Sequence, residues 1–174
     1  MVGGAIFISY RRDDTAGEAG RLAEHLARRF GQDRVFIDID TIAPGTDFTA
    51  ELERALAATK VVLVIIGRRW LTAVDAQGGK RLDAPDDFVR REIVTALERG
   101  TRLVPVLVQN AGMPSMAELP EALGPLANRQ AILAAARRVF AEMGYEAASV
   151  RDVIRGTDLA SGTFYNYFRS KEEV

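Results

Sequence analysis

The chain has 174 residues, 48% hydrophobic and 27% charged, which is room for one full domain and a remnant, or for two small domains, but not for three full ones. Its 23 Lys and Arg against 24 Asp and Glu give a formal net charge of -1, so any contact with nucleic acid must be local rather than driven by overall charge. With no Cys and one His (His25), disulfides, thiolate nucleophiles, zinc fingers, Ser-His-Asp triads and His-ligated transition metals are excluded together, which leaves carboxylates, hydroxyls, arginines and backbone for any chemistry.

The first residues, MVGGAIFISYRRDD, lack the basic region of a secretory signal, and no stretch approaches the roughly 20 apolar residues of a membrane span. A cytoplasmic protein without a membrane partner is expected. Four apolar runs rich in β-branched residues, Ala5 to Ser9, Val35 to Ile39, Val61 to Ile66 and Leu103 to Val108, read as strands covered on both faces. Between them, Glu18 to Phe30 (Leu22, Leu26, Phe30), Phe48 to Ala58 (Leu52, Ala55, Leu56) and Phe88 to Leu97 carry a helical period. Strand alternating with helix predicts a doubly wound α/β domain.

After Val108, a loop leads to a predicted short helix over Ala117 to Leu123, ended by Gly124 and Pro125. From Ala131 the pattern is wholly helical: a helix with Leu133, Ala136, Phe140 and Met143 on one face and Gly144 as its stop, a second helix capped by Ser149 with Asp152 as a weak capping box, and a third from Gly162 capped by Ser161. The module boundary is expected at 130, with 131–174 forming a small three-helix unit. Ala131 to Ala136 can be claimed by a last strand or by the first helix of this unit; its alanines favour helix.

Ligands of such sheets bind beyond the strand carboxyl ends, where the loops Tyr10 to Thr15, Asp40 to Asp47 and Gly67 to Pro85 gather. Glu92 falls on the apolar side of its helix, between Phe88 and Ala96 on the wheel, where a carboxylate is either partly desolvated for function or held by an Arg as a structural group. Arg11 and Arg12 are placed to clamp phosphates and Tyr10 to stack on a base; a solvated loop balancing Asp13 and Asp14 is the alternative. Pro44 and Gly45 are turn chemistry, and Trp70 either lines a pocket or packs its loop. Neither GxGxxG nor a Walker sequence occurs, which disfavours a dinucleotide or ATP bound in the Rossmann manner. His25, one step off the Leu22 and Leu26 stripe, is assigned no role.

Three separated stretches, FISYRR (Phe7 to Arg12), VFIDIDTIAPGTDF (Val35 to Phe48) and DFVRREI (Asp87 to Ile93), resemble the bacterial TIR (Toll/interleukin receptor) domain over residues 4 to about 130. AAARRVFAEMGY, SVRDVI and SGTFYNYFRSKEEV resemble the helix-turn-helix of TetR-type repressors over 131–174. The first resemblance implies a flavodoxin-like parallel sheet of four to five strands, clipped at its last strand and helix. The second implies a module without the ligand-binding and dimerising domain that usually follows. Glu92 matches the catalytic Glu of TIR domains that hydrolyse NAD+, with Phe88 where some relatives have Trp. Cleavage of the nicotinamide–ribose bond releases a neutral pyridine from a pyridinium, so one carboxylate supporting oxocarbenium-like charge suffices, without the carboxylate pair of ordinary glycosidases.

By the same resemblance Asp40, Pro44 and Gly45 belong to the BB loop, which gates the site and mediates self-association. NAD+ would be substrate, with no bound cofactor and no metal. In the repressor-like module Thr163, Tyr165, Asn166 and Tyr167 would project from a recognition helix and Lys171 would meet a phosphate; alternatively Phe164, Phe168 and one Tyr simply fill the core. Asp158 stands where the turn often has Gly, and Ala160 where a Ser cap is usual. Residues 131–174 balance six basic against six acidic groups, so DNA binding by a lone module should be feeble. Three functions follow: an NAD+ glycohydrolase, with ADP-ribose or a cyclised form as product, that acts when assembled; a non-catalytic TIR–TIR scaffold; and a DNA-binding regulator with an N-terminal sensing or assembly domain.

Overall fold

A computed structural model describes residues 4–37, 55–160 and 162–174. Asp40, Pro44, Gly45, Ser161 and most of the helix expected over Phe48 to Ala58 lie outside the described residues; residues 55–57 are helical. The chain divides into two compact units, Met1–Leu123 and Gly124–Val174, whereas the change in composition suggested a boundary at 130.

The first unit is built on β1 (Ala5–Ser9), α1 (Arg12–Phe30), β2 (Val35–Ile37), β3 (Thr59–Ile66), α2 (Phe88–Glu98) and β4 (Arg102–Leu107). The four strands form one parallel sheet in the order β2-β1-β3-β4, with Phe7 opposite Phe36 and Val62, and Val62 opposite Leu103. Right-handed crossovers that step outward from β1 to β2 and from β3 to β4 place α1 and α2 on opposite faces, which is the doubly wound arrangement expected. Ile8, Ala19 and Ile65 form the core under α1, with Leu22, Leu26 and Leu63 packed against it. Val89, Ile93 and Ala96 are the buried apolar positions of α2, which contacts β1, β3 and β4. Phe30, counted in the α1 stripe from sequence, is 50% exposed at the last position of that helix.

Between β4 and the second unit, two 3-10 turns, Met116–Glu118 and Glu121–Leu123, replace the single helix expected over Ala117 to Leu123. Pro120 is the cause: it forces Leu119 into extended backbone at ψ 145° and splits the segment.

The second unit comprises α3 (Gly124–Met143), α4 (Val150–Arg155) and two 3-10 turns, Thr163–Asn166 and Lys171–Glu173. Gly124 and Pro125 begin α3 instead of ending a helix, since proline is tolerated in a first turn, where its missing N–H has no partner to lose. Ala131 to Ala136 is helical throughout, as alanine propensity favoured. The helix stops where expected, at Gly144 with φ +82°. Its buried side is Ile132, Ala135 and Ala136 against Val153, Ile154, Phe164 and Phe168; Met143, placed on that side from sequence, is 48% exposed. No helix among the described residues is long and apolar enough to cross a membrane.

Candidate functional site

The turn after β1 threads Tyr10, Arg11 and Arg12 across the carboxyl ends of the strands, and α2 brings Glu92 to the same place. Tyr10, Arg11, Arg12, Asp13, Arg81, Phe88, Val89 and Glu92 line one cleft of about 130 Å³. Glu92 is 6% exposed, one turn beyond Phe88, which is 40% exposed and lines the same cleft. The structure therefore brings together Tyr10, Arg11, Arg12, Phe88 and Glu92 out of the residues singled out in sequence.

Arg11 has a different task from the phosphate clamp expected of it. Its side chain is 1% exposed and forks onto Asp87, with Nη1 to Oδ2 at 2.9 Å and Nη2 to Oδ1 at 3.2 Å. Asp87 is the N-cap of α2 and accepts the Arg90 N–H at 3.0 Å. Arg81 Nε lies 3.3 Å from the same carboxylate, and Arg81 Nη1 lies 3.4 Å from Asp13. A desolvated, bidentate Arg–carboxylate pair is geometrically stiff. It ties the end of β1 to the first turn of the helix that carries Glu92, five residues on.

Sequence reasoning missed Asp87, Arg81 and Asp13. A signal for Asp87 existed, an Asp directly before the apolar period of DFVRREI, the usual N-cap pattern. Trp70 is fully buried and absent from the walls of the cleft.

A second cleft of about 520 Å³ adjoins the first and shares Arg11 and Asp13 with it; Asp14, Arg69, Thr72, Ala73 and Val74 complete its walls. Its loop is held by specific contacts. Arg69 N–H donates to Asp14 Oδ1 at 3.1 Å, and the Arg69 guanidinium donates to the Asp13 carbonyl. Asp75 Oδ1 accepts from the N–H groups of Gln77 and Gly79 at 2.9 and 2.8 Å. At Gly67 a Cβ would stand 2.4 Å from Thr15 and 2.5 Å from Asp14, so the close approach of β3 to the start of α1 requires glycine.

In the second unit, Tyr165 is 65% exposed and Asn166 exposed, while Thr163 and Tyr167 are half-buried. Thr163–Asn166 is a 3-10 turn rather than a full recognition helix. Tyr167 accepts a hydrogen bond from Asn128 Nδ2 at 3.2 Å and packs against the core. Lys171, expected on a phosphate, donates Nζ to the carbonyls of Tyr145 at 2.8 Å and Ala148 at 3.0 Å and sits 4.4 Å from the Tyr145 ring. It closes the turn between α3 and α4. Tyr165 instead shares an open groove with Ser149, Val150, Arg151, Ile154 and Arg155. Arg151 and Arg155 were counted in the charge balance but not recognised as groove residues. Ser149 and Asp152 form the reciprocal capping box expected, and those hydrogen bonds, with Arg155 and Arg151 nearby, hold the Asp152 carboxyl below the usual aspartate range.

Residues 6–143 match the TIR domain family, and residues 132–174 match the bacterial regulatory proteins of the tetR family. The NAD(+) hydrolase sarm1 of Drosophila melanogaster is 29% identical over 123 residues, 71% of this chain and 8% of that protein. The HTH-type transcriptional repressor AcnR of Corynebacterium efficiens is 44% identical over 50 residues, 29% of this chain and 27% of that protein. The HTH-type transcriptional repressor KstR2 of Mycobacterium tuberculosis is 44% identical over 46 residues, 26% of this chain and 23% of the repressor. The chain thus spans under a tenth of the fly protein and about a quarter of each repressor. Among solved structures, the TIR domains of the activated Roq1 resistosome directly recognizing the pathogen effector XopQ superpose with a TM-score of 0.50 at 16% identity, covering 91% of this chain and 86% of that one.

Proposed function

This chain belongs to the TIR domain family, and we propose that it hydrolyses NAD+ at the nicotinamide–ribose bond, with Glu92 as the catalytic carboxylate, when self-associated. The observation that carries the reading is the position of Glu92: a 6%-exposed carboxylate in a cleft at the strand carboxyl ends, beside an aromatic ring. In such low-dielectric surroundings a negative charge stabilises oxocarbenium character at C1′ far more than it would in water. The C1′–N1 bond breaks with its electron pair passing to the pyridinium nitrogen, which leaves as neutral nicotinamide. Water then adds to C1′ and releases a proton, giving ADP-ribose; attack by a nucleophile of the same molecule would give a cyclic product. No general acid is needed, in keeping with a chain that has one His and no Cys. The similarity to a protein named as an NAD(+) hydrolase supports the substrate, and the fold shared with TIR domains of a resistosome supports self-association.

The test is nicotinamide release by the full chain at high protein concentration beside Glu92→Ala, with folding followed by circular dichroism. Loss of turnover in a folded variant, by about 10²-fold or more, is the expected result for removal of one preorganised electrostatic group. Equal activity in the two, or none in the parent under crowding, would leave the scaffold reading in its place.

A second reading, duplex DNA binding by residues 124–174, is favoured by one observation: Tyr165, Arg151 and Arg155 open on one groove beside a capped helix. It is compatible with the first, because it uses a different unit of the chain.

A further inference from the structure

Arg11 is bonded to both helices that start at the strand carboxyl ends. Its carbonyl accepts the N–H groups of Asp14 at 3.0 Å and Thr15 at 2.8 Å, in the first turn of α1, while its side chain forks onto Asp87, the N-cap of α2. Main chain and side chain of one residue thus set the spacing between the starts of two helices that lie on opposite faces of the sheet. Resting on the reading of Glu92 above, we infer that Arg11 is a positioning residue for the cleavage: through Asp87 it fixes where Glu92 stands, and it makes no bond to substrate.

Burial argues against a ligand role. Arg11 is 1% exposed with both Nη groups on Asp87, so binding a phosphate would require breaking a desolvated ion pair. Its Nε is buried with no hydrogen-bond partner among the described residues. A buried pair that leaves one donor orphaned is a poor source of stability, and what it supplies is geometry. The first turn of α2 is also held by the loop before it: Arg90 Nη1 donates to the carbonyls of Leu82 at 2.9 Å and Asp83 at 2.8 Å, and Arg81 Nε lies 3.3 Å from Asp87 Oδ2. Loop and helix could shift together on those bonds alone. The Arg11 fork references them to the sheet, through the end of the inner strand β1. Tyr10 and Asp13 from the turn after β1, and Phe88 and Val89 from α2, line the cleft that holds Glu92, so the fork also sets its width. Glu92 comes five residues after Asp87, about 7.5 Å along the helix axis, and a displaced cap carries the carboxylate with it. Misplacing a reacting group by about 1 Å costs on the order of 10²-fold in rate.

The experiment compares the parent full chain with Arg11→Lys, which keeps the charge without the planar fork, Arg11→Met, and Asp87→Asn, which keeps a helix cap without its charge. Arg11→Met is expected to lower kcat by about 10- to 100-fold with KM for NAD+ within about twofold, and Arg11→Lys to lower it less. A KM raised about tenfold with kcat held would make Arg11 a substrate ligand and overturn the inference. The double variant Arg11→Met, Asp87→Asn should be no slower than the worse single within about threefold; losses that multiply would show that Arg11 acts otherwise than through Asp87. Leu22→Ala, in α1 against Ile8 and Ile65, is the control for lost stability, with kcat expected within about twofold of the parent; a loss equal to that of Arg11→Met would overturn a positioning role. Amide hydrogen exchange supplies a readout without turnover: Arg11→Met should speed exchange at Arg90, Arg91 and Glu92 and leave β3 unchanged. Unaltered exchange there would refute the tie even if kcat fell. A parent that releases no nicotinamide defeats the reading of Glu92, while the exchange still decides whether Arg11 holds α2.

Discussion

Asp87 satisfies four donors from three residues with one carboxylate: the Arg90 N–H that opens α2, the two Nη groups of Arg11, and Arg81 Nε. Its removal and that of Arg11 should therefore not be equivalent. Asp87→Ala deletes both described bonds of a guanidinium that is 1% exposed and takes away a helix cap as well, and a buried charge stripped of its partner costs about 3–5 kcal/mol. Arg11→Met leaves Asp87 with Arg81 and the helix N–H, so its loss should be clearly smaller. Urea unfolding of the two variants checks the ranking, and equal losses would contradict it. Arg11 also shows why part of the site was illegible in the sequence. An Arg after a strand looks like a phosphate ligand locally; what occupies it here is a carboxylate 76 positions away, which no local pattern displays. Glu92 was legible because its wheel position follows from the helical period alone, and Trp70 was not, because a loop Trp fits either a pocket wall or a packed core.

Elements were readable to the extent that local chemistry determines them. The four strands follow from continuous β-branched runs, and α4 follows from the spacing of Ser149 and Asp152. The recognition helix did not form as expected: Thr, Phe, Tyr and Asn are all middling helix formers, and Phe164 in the 3-10 turn and Phe168 just beyond it reach the core without a longer helix. The α4 cap carries a pH prediction. Asp152 is depressed mainly by the Ser149 hydroxyl, so the unfolded chain takes up its proton at higher pH than the folded one does. The cap's contribution is complete above the ordinary aspartate value of ~3.9 and is lost as pH falls through the lower folded value, fraying α4 on acidification. The amide shifts of Ser149 and Asp152 should titrate with a midpoint under ~3.9, and Ser149→Ala should raise it toward that value. A midpoint indifferent to Ser149→Ala would mean that the hydroxyl does not set it.

For the molecule as a whole, a net charge of -1 gives no general attraction to a polyanion, so DNA binding must come from a few placed cations. Residues 124–174 hold Arg129, Arg137, Arg138, Arg151, Arg155, Arg169 and Lys171 against six acidic groups. Two of these cations are committed to the fold: Lys171 holds the carbonyls of Tyr145 and Ala148, and Arg138 donates to the Gly156 carbonyl at 2.7 Å. Arg151 and Arg155 face the Tyr165 groove, and the contact of Arg155 with Asp152, 3.9 Å in an exposed setting, competes only weakly with a phosphate. Two phosphate contacts predict a log–log salt slope of about -2 and an affinity in the weak range of about 10⁻⁴–10⁻⁶ M at physiological salt. Arg155→Gln should flatten the slope by about one unit. Tyr165→Ala should weaken binding without moving the slope, and Lys171→Ala should lower the melting temperature of the second unit instead. Fluorescence anisotropy on a labelled duplex at several salt concentrations distinguishes these effects. A slope of about -5 or steeper would require several more phosphate contacts than these two arginines offer.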